Sequence, residues 1–267
     1  MRDTGMDGRP THYDLLGTTA IIDLKNEKDG GMGLARRILG ENPRIRTVLA
    51  KAGPVSGVYR TRKLKYLLGE KRYIVEYKEN GCAFVFDPRR AFFSPRLSFE
   101  RSRIIRLVRD GERVIVMFAG VGPFAITIAK AHKNAEVVGI EKNPYACRRM
   151  VDSIKLNRTA NVKAVQGDVK RVSRKYAGFA DRIIMPLPWS SLEFLDSVVE
   201  VAKPRATVHL YVFGATDTVL RDSWKLITEH MKKRGCTARR LFSRIVRPYS
   251  ARESEIVIDF AIRKAES

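Results

Sequence analysis

The stretch Val114-Ile115-Val116-Met117-Phe118-Ala119-Gly120-Val121-Gly122-Pro123-Phe124-Ala125 decides how the rest of the chain is read. Its first half is an apolar strand. Two glycines then make a turn, and a helix opens at Pro123, where the missing proline N–H is not needed. A second apolar strand at 137–140 delivers Glu141 at its end, with Asn143-Pro144 behind it. This is the layout of a nucleotide-cofactor site: backbone approaches the ligand at the glycines, and an acid meets ribose hydroxyls. A solvated acid just past a strand is the alternative for Glu141.

Outward from that stretch the pattern alternates. Strands are predicted at 113–118, 136–141, 161–168, 181–186 and 206–213, with helices at 123–133, 144–157, 190–202 and 217–234. Such alternation demands a parallel sheet covered on both faces. Two last strands, near 239–247 and 254–263, have no helix between them and should pair antiparallel. That ending is the habit of class I S-adenosylmethionine-dependent methyltransferases, an α/β Rossmann-like fold. Upstream, strands at 19–24 (TAIIDL) and 46–50 (RTVLA) flank a helix at 32–39, and Asn80-Gly81 joins strands 73–77 and 82–86 as a hairpin. These make a smaller N-terminal α/β domain. The expected domains are 1–92, contacting RNA, and 93–267, the methyltransferase; residues 1 to about 10 read as a loose terminus.

Lys+Arg total 51 against Asp+Glu 29, a formal charge of +22 that favours a polyanionic partner, nucleic acid first. A thermophile's ion-pair networks need both signs and leave the excess unexplained. Cys82, Cys147 and Cys236 are odd in number and far apart, which fits neither disulfides nor zinc. His12, His132, His209 and His230 form no pair at metal-ligand spacing. No signal peptide or run of transmembrane length occurs. The expectation is a cytoplasmic, monomeric protein without metal or membrane partner.

The amides of the 118–122 turn and the first turn of the next helix could hold the carboxylate end of a cofactor. Asp168, in Gln166-Gly167-Asp168, stands where an adenine amine needs an acceptor, although Asp after Gly also suits an ordinary turn. Met185-Pro186-Leu187-Pro188-Trp189 ends the fourth strand of the series. Pro186 has no side-chain acceptor, which disfavours methylation of an exocyclic amine; Trp189 either stacks on a base or joins the core. Glu100 falls in the first turn of a helix from Ser98 through Arg109, as a capping acid among cations or as a general base. Val58-Tyr59-Arg60-Thr61-Arg62-Lys63-Leu64-Lys65-Tyr66 interleaves aromatics with cations, as nucleic-acid surfaces and plain solvated faces both do.

Together, YDLLG at 13–17, VYRTR at 58–62, FSPRLSFERSR at 93–103, MFAGVGPF at 117–124, IEKNP at 140–144, IKLN at 154–157, GDVKRV at 167–172, ADRIIMPLP at 180–188 and YSARE at 249–253 resemble one family. It is the archaeal and eukaryotic-type tRNA (guanine-37-N1)-methyltransferases with their wyosine-pathway relatives. The resemblance covers nearly the whole chain from Tyr13, and it implies S-adenosylmethionine as cofactor and the tRNA anticodon loop as partner. It implies that Glu100 removes the proton from guanine N1 and that Arg60 steadies charge at O6, with Arg62 the alternative by spacing. Ser94, Arg101, Phe118, Gly120, Gly122, Glu141, Lys142, Asn143, Asp168, Val169, Pro186 and Leu187 would line the cofactor. The family's extra small N-terminal domain is expected to be missing.

Two positions depart from the family: Val116 stands where it usually has Asp, and Pro186 where its Asn-Leu-Pro loop has Asn. Two other functions therefore stay open. One is transfer of the cofactor's aminocarboxypropyl group in wyosine synthesis. The other is a non-catalytic, basic tRNA-binding protein on a methyltransferase scaffold.

Overall fold

A computed structural model describes residues 13–24 and 29–265. The expected loose terminus and His12 fall outside them. The chain divides into two compact units, Met1–Arg96 and Leu97–Ser267.

In the N-terminal unit, β1 (Tyr13–Leu16) and β2 (Thr19–Ile22) pair antiparallel. Helix α1 (Met32–Glu41) crosses over to β3 (Thr47–Ser56), which lies parallel to β2. The antiparallel β4 (Thr61–Gly69) completes the order β1-β2-β3-β4. Ala20, Ile22, Ala35, Ile38, Val48 and Ala50 form the core between helix and sheet. Neither β1 nor β4 was expected as a strand. β4 hides in the basic segment because it is an edge strand: Lys63 and Lys65 stay exposed, while Leu64 and Tyr66 alternate inward. Edge cations of this kind also discourage pairing with another chain. A separate hairpin joins β5 (Val75–Glu79) to β6 (Cys82–Phe86). Asn80 (φ 46°) and Gly81 (φ 70°) are both left-handed, as a two-residue hairpin turn requires.

The C-terminal unit opens with α2 (Ser98–Leu107), then alternates β7 (Arg113–Met117), α3 (Pro123–Ala131), β8 (Glu136–Glu141), α4 (Pro144–Asn157) and β9 (Val162–Gln166). It continues through the short α5 (Val169–Val172), β10 (Ala180–Met185), α6 (Leu195–Val201), β11 (Ala202–Ala215), α7 (Val219–Lys233), β12 (Cys236–Pro248) and β13 (Glu253–Lys264). The seven strands run β12-β13-β11-β10-β7-β8-β9. All neighbours from β11 to β9 are parallel, and β13 pairs antiparallel with both β11 and β12. The parallel sheet with an antiparallel end is as the alternation predicted. Strand order reverses between β7 and β10, and ligands of open α/β sheets bind in the crevice at such a point.

Side-chain alternation makes the two faces unlike. Val208, Leu210 and Val212 of β11 join Ile258 and Phe260 of β13 in the apolar core with α6 and α7. The opposite face receives His209, Tyr211 and Asp259, all at most 3% exposed. No helix of the described residues is long and apolar enough to cross a membrane.

Candidate active site

The turn after β7 is built from left-handed backbone. Phe118 (φ 57°), Gly120 (φ 59°) and Gly122 (φ 88°) all have positive φ. A Cβ on Gly122 would stand 2.7 Å from Met150 Cγ and 2.9 Å from Ile126 Cδ1, so conformation and space both call for glycine. Gly122 precedes Pro123 at the start of α3. The Phe118 ring meets Phe194 edge-on at 4.7 Å.

Glu141 closes β8 and grips this turn. Its Oε2 accepts from Gly120 N at 2.7 Å, and its Oε1 accepts from Asn143 N at 2.6 Å. The Gly120 amide is thus committed to Glu141. Each carboxylate oxygen has a second lone pair, which leaves Glu141 able to accept from further hydroxyls. Burial pushes the Glu141 carboxyl above its usual range, and the backbone donors oppose this only in part. Asn143 caps α4, its Oδ1 accepting from Tyr145 N at 3.0 Å. Asp168 caps α5 through Lys170 N at 2.9 Å and accepts from Lys142 Nζ at 2.8 Å. That lysine bond, above all, holds the Asp168 carboxyl below its usual range.

Val169 packs into the core at 3% exposure, so it offers the rim only its backbone. Pro186 and Leu187 follow β10, where Ser191 Oγ donates to the Leu187 carbonyl at 2.5 Å. Trp189 is 50% exposed rather than core; it lies over Phe213 at 3.8 Å, with Tyr249 edge-on at 5.9 Å. Val116 is buried mid-sheet between Gly139 and Ile184.

Glu100 is 1% exposed, on the first turn of α2. Its Oε2 accepts from Arg103 Nε at 3.0 Å and from Tyr211 Oη at 2.9 Å. Arg244 Nη2 lies 2.9 Å from its Oε1. Burial, then the neighbouring Glu100 charge, raises Tyr211 well above the usual phenol range, so it stays protonated and donates. Phe124, in the first turn of α3, links this cluster to the glycine turn: its ring is 6.1 Å from Tyr211 and 5.8 Å from the Arg101 guanidinium. Arg60 and Ser94 belong to the N-terminal unit. Arg60 ends the β3–β4 turn at φ 50°, its N–H donating to the Gly57 carbonyl at 3.0 Å. Ser94 is 9% exposed.

The charged network continues from Arg103 across the sheet. Arg103 Nη1 donates to Asp259 Oδ2 at 2.5 Å, and Asp259 Oδ1 lies 2.8 Å from His209 Nδ1. His209 Nε2 is 2.8 Å from Arg182 Nη1, and Arg182 holds Glu112 with two bonds of 2.6 and 2.9 Å. A guanidinium can only donate, so Nε2 accepts and the imidazole proton sits on Nδ1, toward Asp259. Burial is the largest influence and depresses the His209 pKa below its ordinary 6.5. The sign follows: the unfolded chain takes up a proton near pH 6.5, and the folded chain resists it until lower pH. This contribution to stability is full above about pH 6.5 and is lost as pH falls through the folded value. Urea unfolding at pH 7.5 and 5.5 should give the lower midpoint at 5.5; an unchanged or higher one would contradict the neutral imidazole.

Of the residues expected to form a site, the structure joins Phe118, Gly120, Gly122, Glu141 and Asn143 around one turn, and Lys142 to Asp168 beside it. Glu100 and Arg101 sit on α2 and point differently, toward β11 and β12 and toward Phe124. Arg103, Tyr211, Arg244, His209 and Asp259 were not anticipated. A signal existed for three of them: His209 and Tyr211 interrupt the apolar run VHLYVF, and Asp259 interrupts IVIDFAI. Among the described residues no group of three or more His, Cys, Asp or Glu is placed to hold a metal, and the three cysteines are buried free thiols.

The family model described as the TRM5/TYW2 methyltransferase domain matches residues 75–238. The TYW2 N-terminal domain matches residues 1–72. This overturns the expectation that an N-terminal domain is missing. The small N-terminal unit itself carries the match to that domain. Among curated relatives, tRNA (guanine(37)-N(1))-methyltransferase Trm5b of Pyrococcus abyssi is 35% identical, covering 95% of this chain and 75% of that protein. tRNA 4-demethylwyosine(37)-methyltransferase Taw21 of Saccharolobus solfataricus is 33% identical, covering 92% of each. Among solved structures, the complex of aTrm5 and tRNALeu aligns with a TM-score of 0.81 at 29% identity, covering 94% of this chain and 71% of that one. TYW2 of M. jannaschii in complex with AdoMet aligns with a TM-score of 0.75 at 25% identity, covering 95% and 100%.

Proposed function

The chain belongs to the TRM5/TYW2 methyltransferase family, and on that premise we propose that it methylates tRNA at guanine 37, on N1 or on its wyosine-type derivative. S-adenosylmethionine is the donor, bound at the carboxyl ends of β7 to β10. The carrying observation is the rim where Glu141 ties the glycine turn to the end of β8. A cofactor of this class fits the donors and acceptors there. Gly122 keeps the turn tight against Met150 and Ile126, Glu141 has lone pairs to spare for ribose hydroxyls, and Asp168 supplies an acceptor on the next strand.

When bound, the cofactor supplies a methyl group on a positively charged sulfur. The rest is work for the protein. Guanine N1 carries a proton and attacks only once a base removes it. Glu100 takes that proton, and the electron pair left on N1 accepts the methyl. Arg103 and Tyr211 fix the carboxylate so that little reorganisation is needed. Arg60 and Ser94 keep only the roles that the family resemblance implies. Trp189 offers an exposed ring to stack on a base, which enzymes acting on bases of folded nucleic acids require.

Glu141→Ala should weaken S-adenosylmethionine binding about 10- to 100-fold, the value of one hydrogen bond to a charged acceptor. Titration calorimetry reads this directly; an unchanged affinity would place the ribose elsewhere. Mass spectrometry of nucleosides after incubation with cofactor and unmodified or precursor-bearing tRNA tests the function itself. Methylguanosine or a methylated wyosine precursor is expected. An aminocarboxypropyl adduct would assign the alternative transfer, and no product despite tRNA binding would favour the non-catalytic scaffold. Binding to tRNA should weaken steeply with salt, as a chain of charge +22 predicts.

A further inference from the structure

Glu100 meets two arginines, and they are held very differently. Arg103 is bound on both sides: its Nε and Nη2 reach Glu100 Oε2 at 3.0 and 2.9 Å, and its Nη1 and Nη2 reach Asp259 at 2.5 and 3.3 Å. Its side chain is 12% exposed. Among the described residues Arg244 makes one ion pair, from Nη2 to Oε1 at 2.9 Å, and its side chain is 31% exposed. Its Nε is buried without a hydrogen-bond partner among the described residues. Its guanidinium lies 4.4 Å over the ring of Phe99, which is itself 56% exposed. The contact at Oε1 is also off the hydrogen-bonding direction, so this buried oxygen receives no aligned donor among the described residues.

Oε2 already accepts from Arg103 and Tyr211, so an incoming N1–H has Oε1 as its acceptor. Arg244 stands there. A carboxylate takes a proton more readily with one cation beside it than with two. Arg244 rises from β12, the edge strand of the sheet, which also carries Arg239, Arg240 and Arg247. An RNA strand arriving at such an edge brings phosphate oxygens, the acceptors a planar guanidinium fits best.

We propose that Arg244 is an exchanging counter-ion: it covers Glu100 Oε1 in the resting protein and moves to a phosphate of the substrate RNA on binding, which opens Oε1 to the guanine proton. The exchange rests on the proton-abstraction role of Glu100 proposed above. It couples arrival of the RNA backbone to exposure of the base.

The test is a double-mutant cycle on affinity for an unmodified tRNA transcript, measured without cofactor so that no turnover intervenes. Glu100→Gln leaves no ion pair to break, and binding should tighten about fivefold, the upper value for a partly exposed pair. Arg244→Ala should weaken binding about tenfold by removing a charge-assisted phosphate contact. The double variant should bind like Arg244→Ala, because the gain in Glu100→Gln needs the released arginine. Arg244→Lys, which keeps the charge without the fork, should fall between, and it serves if the alanine variant does not fold. Equal affinity of wild type and Arg244→Ala, or a Glu100→Gln gain that survives in the double variant, would overturn the exchange and leave Arg244 a structural brace. Failure of the underlying reading looks different: Glu100→Gln would keep full turnover.

Discussion

Glu100→Gln abolishes methyl transfer while S-adenosylmethionine still binds: this is the expected result with the largest effect on activity. The amide keeps the shape of the carboxylate and can still accept from Tyr211 Oη, now at 2.9 Å from Oε2. It cannot take a proton from N1. General-base catalysis is worth about 10²- to 10⁴-fold, and the neutral ring nitrogen has no other route to an attacking electron pair. Calorimetry with the cofactor serves as the control for folding, since Glu141, Asp168 and the glycine turn lie outside the altered cluster. A variant with wild-type turnover would remove Glu100 from the chemistry. A variant that loses turnover and cofactor binding together would show only that the buried cluster had collapsed.

Asp259→Ala should produce the largest loss of stability. Asp259 is 3% exposed and stands between two groups, Arg103 and His209. The alanine leaves the buried Arg103 cation with only Glu100 and Arg244's competing charge, and it removes the carboxylate oxygen that lies 2.8 Å from the imidazole Nδ1. Breaking a buried pair from one side costs about 3–5 kcal/mol, a large part of the ~5–15 kcal/mol that holds a domain together. The urea midpoint should fall without a change in the denaturant slope. A loss below about 1 kcal/mol, the range of an exposed pair, would show that the network is not cohesive. Turnover should fall as well, because Arg103 would no longer be anchored from the far side of Glu100.

The geometry of the rim proposed to hold the cofactor was legible in the sequence because its parts are local. The Gly120 and Gly122 turn, Pro123 at a helix start, Glu141 at a strand end and Asp168 before a helix each follow from the backbone rules of a few neighbouring residues. Helix and strand periods then ordered these pieces into one parallel sheet with an antiparallel end. The basic strand β4 is harder to read, because its outward residues Lys63 and Lys65 alternate with Arg62, Leu64 and Tyr66, and an arginine on the inward face hides the period of two.

Apart from Arg103, one turn further along α2, what surrounds Glu100 was set by tertiary structure. Tyr211 is 111 residues away in sequence from Glu100, and Asp259 is 156 from Arg103. The polar interruptions in β11 and β13 were visible one strand at a time, but not that they are partners. Only the antiparallel register, which sets His209 opposite Asp259, brings them together beneath α2. Sequence by itself therefore determined the family, the sheet and the residues at its rim, since these depend on short-range conformational preference. The pairing of a buried carboxylate with one fixed and one loosely held arginine was decided by the fold, because side chains from three distant elements share a charge only once the strands are in register.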